Sequence, residues 1–188
     1  MSDPELSKTT IMDEDELDNC IQRIGYEILE KYPDDPIAFV GVYTRGVTFS
    51  DRLFEVVSEQ NPNVRRGTLD ITLYRDDLDN LGTMPSVKSS NIPFEVEGAR
   101  ILLLDDVLFT GRTCRAALEV LMDYGRPSRI ELGVLIDRGH RELPIRPDYT
   151  GRELETTLDD YVNVRFREND DCEGVYKVTD PGDGEEDS

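Results

Sequence analysis

The chain has 188 residues, of which 37% are hydrophobic, and this suits one domain with one core better than two full-sized domains. Its 41 acidic residues against 21 basic ones give a net charge of −20. Because phosphate groups are attracted by positive potential, this charge excludes general coating of nucleic acid.

The N-terminus and the hydropathy pattern predict a cytoplasmic protein with no membrane partner. The first ten residues, MSDPELSKTT, lack the basic and then apolar regions of a signal peptide. The longest aliphatic run covers residues 101–104, far below the roughly 20 residues of a membrane span. The three cysteines and the single histidine lack the spacing of a metal-binding set, and we expect the cysteines to be packing residues.

In chain order, the sequence predicts two disordered ends around one domain. Residues 1–12 are polar, and residues 179–188 are rich in Gly, Pro and acidic side chains, so the predicted domain covers residues 13–178. Asp13 is placed to cap a first helix, in which apolar residues recur at helical spacing. These residues are Leu17, Cys20, Ile21, Ile24 and Ile28.

The middle of the chain alternates apolar strands with helices. The predicted elements are strands at residues 37–42, 69–74, 100–104 and 130–136, helices at residues 47–58 and 114–124, and late strands at residues 161–166 and 174–178. This order predicts an α/β fold, a twisted parallel sheet flanked by helices, with ligands bound beyond the carboxyl ends of the strands.

Two segments interrupt this alternation. Residues 74–93 form a long polar loop that is either a flexible lid over a binding crevice or a solvated loop without a role. Residues 137–160 begin with several Arg and Pro residues and are expected to form a small hood subdomain above the ligand.

The segment ILLLDDVLFTGRT at residues 101–113 carries the most specific chemistry. The amides of residues 110–113, their two threonine hydroxyls and the helix dipole can form a nest for one phosphate. Asp105 and Asp106 repel a phosphate, so we expect them to accept hydrogen bonds from neutral hydroxyls or to bind a divalent cation. A sugar phosphate satisfies both the phosphate nest and the aspartate pair. A surface Asp pair on an ordinary strand–turn–helix has the same local pattern, however.

This segment resembles the phosphoribosyl diphosphate (PRPP) motif of type I phosphoribosyltransferases. The resemblance implies that Asp105 and Asp106 hold the ribose hydroxyls, partly through Mg²⁺, and that residues 110–113 hold the 5-phosphate. The residues implied to bind PRPP are Thr44, Arg45, Asp105, Asp106, Val107, Leu108, Phe109, Thr110, Gly111, Arg112 and Thr113.

A second loop, at residues 43–46, resembles the diphosphate loop of the same family. Thr44 and Arg45 are the implied contacts, and the bond before Arg45 is often cis in the family. Catalytic roles then fall to Asp105, Asp106 and Arg45. Arg75, in the expected lid, is a further candidate for contact with the diphosphate.

Phe109 indicates which base is transferred. Purine-specific members of the family carry an Asp immediately before the Thr-Gly of the phosphate loop, and an apolar ring at that position points to a pyrimidine. Arg138 and the backbone near Val162 resemble base-reading positions of the family. A purine salvage transferase is the alternative, and it would prefer hypoxanthine or guanine to uracil.

Longer segments resemble the PyrR family of bifunctional pyrimidine operon attenuators and uracil phosphoribosyltransferases. They are LDITLYRDDL at residues 69–78, YGRP at residues 124–127 and DRGHRELP at residues 137–144. The family implies conversion of uracil and PRPP to UMP and diphosphate with Mg²⁺, in a homodimer or higher homo-oligomer. It also implies UMP-dependent binding of pyrimidine operon leader mRNA.

RNA binding needs a locally positive face on this acidic chain. Residues 126–152 carry six Arg against four acidic residues, and the candidate RNA contacts are Gln22, Arg23, Arg141 and Arg146. Gln22 and Tyr26 stand, however, where RNA-binding relatives have Thr and His. An RNA-binding regulator with little enzyme activity is a further alternative.

Overall fold

The computed structural model describes residues 7–74 and 89–179, and over these ranges the chain forms eight β-strands and three α-helices. The strands are β1 (Ser7–Met12), β2 (Ile37–Val42), β3 (Val64–Leu69), β4 (Arg100–Leu108), β5 (Arg129–Asp137), β6 (Tyr149–Glu153), β7 (Asp160–Arg165) and β8 (Gly174–Thr179). The helices are α1 (Glu14–Lys31), α2 (Arg45–Ser58) and α3 (Arg112–Met122). None of these three helices is long and apolar enough to cross a membrane.

A five-stranded parallel sheet, in the order β3-β2-β4-β5-β6, forms the centre of the fold. Helices cover both of its faces, so alternate residues of β4 enter two different cores. Leu102 and Leu104 pack with α1 and α2, whereas Ile101 and Leu103 pack with α3. The α/β class expected from the alternation of strands and helices is confirmed.

The direction of the crossovers changes between β2 and β4. β2 pairs with β3 on one side and with β4 on the other, so the chain leaves β2 toward one edge and later returns to its opposite side. In open α/β sheets, the crevice at such a switch point is where ligands bind. Here the crevice lies between the loops that follow β2 and β4.

A second, antiparallel sheet, in the order β1-β8-β7, adjoins the carboxyl edge of the main sheet. Its β7–β8 loop contacts the start of α2, where the Thr48 hydroxyl donates a hydrogen bond to Asn169 Oδ1 at 2.5 Å. The prediction of disorder over residues 1–12 is wrong for Ser7–Met12. These polar residues are ordered because β8 supplies their backbone partners, with Thr10 opposite Tyr176.

The expected hood is only partly separate from the main sheet. Tyr149–Glu153 forms β6, which pairs in parallel with β5 and extends that sheet. The sequence concealed this strand because four of its five side chains are half-buried or exposed, so it has no continuous apolar run. The antiparallel β1-β8-β7 sheet, called the small sheet below, is made largely from the two ends of the chain and provides the second layer beside the crevice.

The strand expected at residues 69–74 is also wrong, since β3 ends at Leu69 and Thr72–Tyr74 forms a 3-10 turn. The carboxylate of Asp70 accepts hydrogen bonds from the amide and the hydroxyl of Thr72, and this local bonding turns the chain out of the sheet. Residues 75–88 of the expected lid, including Arg75, lie outside the described residues. Asn91, later in the same segment, forms a β-bridge with Thr68.

Candidate active site at the carboxyl edge of the sheet

Two loops meet at the β2–β4 crevice and carry most of the residues that the sequence analysis selected. Residues 43–44 connect β2 to α2, and residues 109–111 connect β4 to α3. Each loop ends at the N-terminus of a helix, where the first backbone N–H groups lack partners within the helix. The crevice therefore has two adjacent sources of partial positive charge.

Gly46 allows the first loop to pass directly against β4. A Cβ atom on this residue would lie 2.7 Å from the Leu104 carbonyl oxygen and 3.1 Å from Asp105 Cα. Any side chain would force the loop away from the aspartates. The glycine is thus required by close approach of two backbones.

Arg45 forms a bidentate ion pair in the crevice. Its Nη2 and Nε donate to the two carboxylate oxygens of Asp170 at 2.7 and 3.2 Å. The hydrogen bond with Asp170 raises the pKa of Arg45 and the same bond lowers the pKa of Asp170, so both groups are charged at neutral pH. Thr44, before Arg45, is exposed and follows a cis peptide bond from Tyr43, one residue earlier than the family resemblance implies.

Asp170 is a site residue that the sequence analysis missed. It lies in the β7–β8 loop, 125 residues after Arg45, and it also accepts a hydrogen bond from the Phe166 amide at 3.2 Å. No local motif marks it, because its neighbours in the sequence are also acidic. Only the packing of the small sheet against α2 brings it to the crevice.

Asp105 and Asp106 lie inside β4, because that strand continues to Leu108 instead of ending before the aspartates. Both are half-buried, and the Asp106 amide donates to Asp105 Oδ1 at 3.0 Å. Burial raises the pKa of Asp106, while a hydrogen bond with Asp105 and the charge of Arg45 act in the opposite direction. Neutral hydroxyl donors or a divalent cation would stabilise two carboxylates held this way.

Mg²⁺ fits this aspartate pair when it arrives with a phosphate ligand. Within residues 7–74 and 89–179, there is no group of three or more His, Cys, Asp or Glu side chains that could hold a metal ion. Mg²⁺ is commonly bound by one or two carboxylates together with substrate phosphates. Asp105 and Asp106 offer that partial donor set.

The phosphate loop is held in place by its backbone. Gly111 caps α3 at a φ of 91°, a left-handed conformation that favours glycine. The Thr110 carbonyl accepts hydrogen bonds from the amides of Glu142 and Leu143 at 3.0 and 3.2 Å. The Arg112 amide donates to Thr110 Oγ1 at 3.3 Å. The resulting concave backbone at the start of α3 is suited to one phosphate.

The side chains of several residues implied to bind PRPP are engaged within the protein or partly buried. Leu108 is buried in the core beside α3, and Val107 packs against the opposite core. The Arg112 guanidinium pairs with Glu142, with Nε 2.6 Å from Oε2. Thr113 is half-buried in the first turn of α3.

A cluster of Arg138, Phe109 and His140 lies next to the phosphate loop. The Arg138 guanidinium stacks on the Phe109 ring, with Cζ 4.0 Å from the ring centroid, and His140 meets that ring edge-on at 6.0 Å. Arg138 is 5% exposed, and burial lowers its pKa. Its Nη2 donates to the Thr157 carbonyl at 2.8 Å, while Nε has no hydrogen-bond partner in the described part of the chain.

β7 adds a backbone edge and an aromatic side chain to this cluster. It is an outer strand of the small sheet as described, so alternate amides and carbonyls of Asp160–Arg165 point away from β8. The Val162 side chain packs against the core, which leaves its backbone for ligand contact. Tyr161, which the sequence analysis passed over, is 60% exposed. The alternation of YVNVRF could have marked its outward position.

Two of the candidate RNA contacts also make internal contacts. Arg141 donates to the carbonyls of Phe109 and Ile145 at 2.8 and 3.0 Å and pairs with Asp137. Arg23 donates to the carbonyls of residues 150 and 151 and so connects α1 to β6. Both arginines therefore hold neighbouring segments together, which the sequence alone could not reveal.

The other two candidate RNA contacts lie on the surface. Arg146 and Gln22 are exposed, and Gln22 lines a groove between α1 and α2 together with Tyr26. The acidic residues of that groove are Glu14, Asp18, Asp51, Glu55, Glu59, Glu168 and Glu173. The α1 face is thus strongly acidic where an RNA phosphate would have to approach.

Known proteins resemble this chain both in sequence and in fold. Residues 10–171 match the phosphoribosyl transferase domain family. The chain is 46% identical over 178 residues to the bifunctional protein PyrR of Deinococcus radiodurans, covering 94% of this chain and 97% of that protein. It is 49% identical over 162 residues to the bifunctional protein PyrR of Elusimicrobium minutum, covering 85% of this chain and 90% of that protein.

Solved structures of low sequence identity share the architecture. A hypoxanthine phosphoribosyltransferase from Staphylococcus aureus aligns with a TM-score of 0.69 at 19% identity, covering 96% of this chain and 98% of its own. A hypoxanthine phosphoribosyltransferase from Trypanosoma cruzi aligns with a TM-score of 0.71 at 18% identity, covering 94% of this chain and 96% of its own. At this identity, the likeness shows the fold alone.

An aspartate pair and a glycine-capped phosphate loop at the switch point of a parallel sheet define the class of the type I phosphoribosyltransferases. The chain belongs to the phosphoribosyl transferase family and, within it, to the bifunctional PyrR proteins.

Replacing Gly111 with alanine should weaken PRPP binding, whereas the same change at Gly98 should not. The two residues have φ values of 91° and 71°, so each alanine should cost of order 1–3 kcal/mol of stability. Only at Gly111 would the new Cβ meet a neighbour in the site, Ile145 Cδ1 at 3.2 Å, while nothing lies within 4 Å at Gly98. We expect Gly111→Ala to raise KM for PRPP about tenfold through loss of loop geometry, measured by steady-state kinetics. Equal KM changes in both variants would contradict this role of the loop.

Proposed function

We propose that this chain transfers the phosphoribosyl group of PRPP to uracil, forming UMP and releasing diphosphate. The observation that carries the proposal is the position of the Arg138–Phe109 stack beside the aspartate pair and the phosphate loop. A sugar phosphate occupies the loop and the aspartates, and its anomeric carbon then faces the stack. The identity to bifunctional PyrR proteins over most of the chain supports the same proposal.

The reaction separates charge, and the site is suited to stabilising it. As diphosphate leaves the anomeric carbon, the ribose becomes oxocarbenium-like, and uracil N1 forms the new bond and loses its proton. Asp105 and Asp106 accept hydrogen bonds from the ribose hydroxyls and stabilise this positive charge. The amides at the start of α3 fix the 5-phosphate. Arg45 can direct its two donors to the departing diphosphate.

Arg45 is oriented before the substrate arrives. Its bidentate pairing with Asp170 fixes the guanidinium at the mouth of the crevice. A diphosphate carries more negative charge than one carboxylate, so it competes for the same donors. Mg²⁺ bound with the diphosphate near Asp105 and Asp106 would add positive charge that stabilises the leaving group.

Uracil has no imidazole ring, so it needs no acidic partner at position 109. Arg138 lies on the base side of the site, because its guanidinium stacks on the Phe109 ring. The outer backbone edge of β7 near Val162 can pair with the N–H and carbonyl groups of the uracil ring. Tyr161 offers a surface on which the planar ring can stack.

Asp105→Asn and Asp106→Asn should each abolish most of the uracil-dependent release of diphosphate. The amides that replace the carboxylates cannot stabilise a positive ribose, and we expect at least about a hundredfold loss of kcat/KM. Asp34→Asn is the control, because Asp34 is exposed in the loop before β2, at the opposite edge of the sheet. Full turnover in both site variants would refute the assigned ribose contacts.

A panel of free bases tests the choice of substrate. We expect turnover with uracil and little with hypoxanthine or guanine, because Phe109 cannot exchange a proton with a purine imidazole. In Phe109→Asp, the preference should shift toward purines. Preference of the unmodified chain for a purine would favour the purine salvage alternative.

UMP-dependent binding of pyrimidine operon leader mRNA is the second candidate function, and the name of the relatives as bifunctional proteins favours it. The exposed Arg146 can contact a phosphate, whereas the acidic groove beside Gln22 opposes RNA on the α1 face. We expect a gel shift with the leader RNA that strengthens with UMP and is weakened in Arg146→Gln. Absence of a shift at low salt, with and without UMP, would leave a phosphoribosyltransferase alone. A cytoplasmic location and a homodimer or higher homo-oligomer stay predictions.

A further inference from the structure

A buried carboxylate lies at the start of β7, outside the site residues described above. Asp160 is 3% exposed. Its Oδ2 accepts a hydrogen bond from the Thr157 amide at 2.7 Å, and its Oδ1 accepts one from the Thr179 hydroxyl at 2.6 Å. Lys177 Nζ lies 3.8 Å from Oδ2. The carboxylate thus connects β8 to the segment that precedes β7.

Thr157 connects this carboxylate to the base pocket. Its amide donates to Asp160, and its carbonyl accepts the hydrogen bond from Arg138 Nη2 at 2.8 Å. The neighbouring Thr156 hydroxyl donates to the Arg138 carbonyl at 2.9 Å. Residues 154–157 belong to no helix or strand, so side-chain contacts such as these set the position of the Thr157 carbonyl.

Asp160 also provides negative charge near a buried cation. The hydrogen bonds from the Thr157 amide and then from the Thr179 hydroxyl lower the pKa of Asp160 to about 2, so it is ionised at neutral pH. Burial lowers the pKa of Arg138, and the charge of Asp160 opposes that effect. The ionised Asp160 therefore offsets part of the cost of burying the Arg138 guanidinium.

We propose that Asp160 is a positioning residue for the transferred base: it fixes the Thr157 carbonyl and thereby holds the Arg138 guanidinium against the Phe109 ring. This inference rests on the proposed function, since it takes Arg138 as the group that contacts the base. It adds the residue that sets the orientation of that contact. The backbone of the phosphate loop is held by β4, α3 and the amides of residues 142 and 143, so we expect a loss at Asp160 to act mainly on the base.

Asp160→Asn and Asp159→Asn are a matched pair for testing this role. Asp159 is the preceding residue, carries the same charge and is exposed. An asparagine at position 160 removes the charge and weakens the bond to the Thr157 amide. We expect about a tenfold rise in KM for the base, the effect of losing one charge-assisted hydrogen bond. KM for PRPP should be unchanged, and Asp159→Asn should match the unmodified chain in both constants.

Thr179→Val supplies an independent measurement in case Asp160→Asn fails to fold. It keeps the charge of Asp160 and removes only the hydrogen bond to Oδ1, so KM for the base should rise by a smaller factor in the same direction. Thermal unfolding of each variant shows whether it is folded. Equal changes in both KM values, or no change in either, in the folded variants would overturn the proposal, because a general structural role would not distinguish base from PRPP.

The kinetics are measured with the base that the unmodified chain uses best. If that base is a purine, the proposed uracil specificity fails, while the role of Asp160 is still decided by the KM for that purine. If the base is uracil and only KM for PRPP changes in Asp160→Asn, the proposed function stands and the role of Asp160 is wrong.

Discussion

The close contact between the loop after β2 and the backbone of β4 is the constraint on which the rest of the site depends. Gly46 permits it, since any Cβ there would collide with the Leu104 carbonyl. The contact brings Arg45 to the same crevice as the aspartates and places two helix N-termini side by side. Separation of these loops by the width of a methyl group would leave the diphosphate and ribose contacts too far apart to act on one substrate.

The small sheet completes the site at both of its ends. At one end of β7, Asp160 is connected to Arg138 through Thr157. Beyond the other end, Asp170 pairs with Arg45 in the diphosphate loop. The main sheet therefore supplies the phosphate loop and the aspartates, and the small sheet orients the two arginines. A ligand that contacts both arginines is held between the two sheets.

The sequence predicts the part of the site that is local in the chain. The apolar run of β4, the aspartate pair and Gly111 all lie within residues 101–113, so strand, loop and helix could be predicted together. Contacts made by distant segments could not be predicted in this way. Asp170 and β1 take their roles from partners more than a hundred residues away, and the polar side chains of β1 give no strand signal without β8.

In places, local hydrogen bonds also outweigh the secondary structure that the hydrophobic periodicity predicts. Asp70 ends β3 through its bonds to Thr72, although the residues that follow have strand-like composition. Arg141 illustrates a different limit of sequence-based prediction. An arginine in a basic segment is a candidate nucleic-acid contact, and only the structure shows its carbonyl partners. Residue type shows what chemistry is available, but the packing decides whether the donors face solvent or the protein.

A chain of net charge −20 that binds a polyanion must recruit positive charge locally. Many of its arginines are already paired with acids, as Arg52 is with Asp18, Glu168 and Glu173. Backbone amides are not neutralised in this way, because they carry no net charge and are fixed by the fold. Their attraction acts within hydrogen-bonding distance, whereas repulsion from the acidic surface is screened over about 8 Å at physiological ionic strength. Anion binding through the Gly111 loop is therefore compatible with the acidic surface, whereas RNA phosphates on the α1 face would meet acidic side chains.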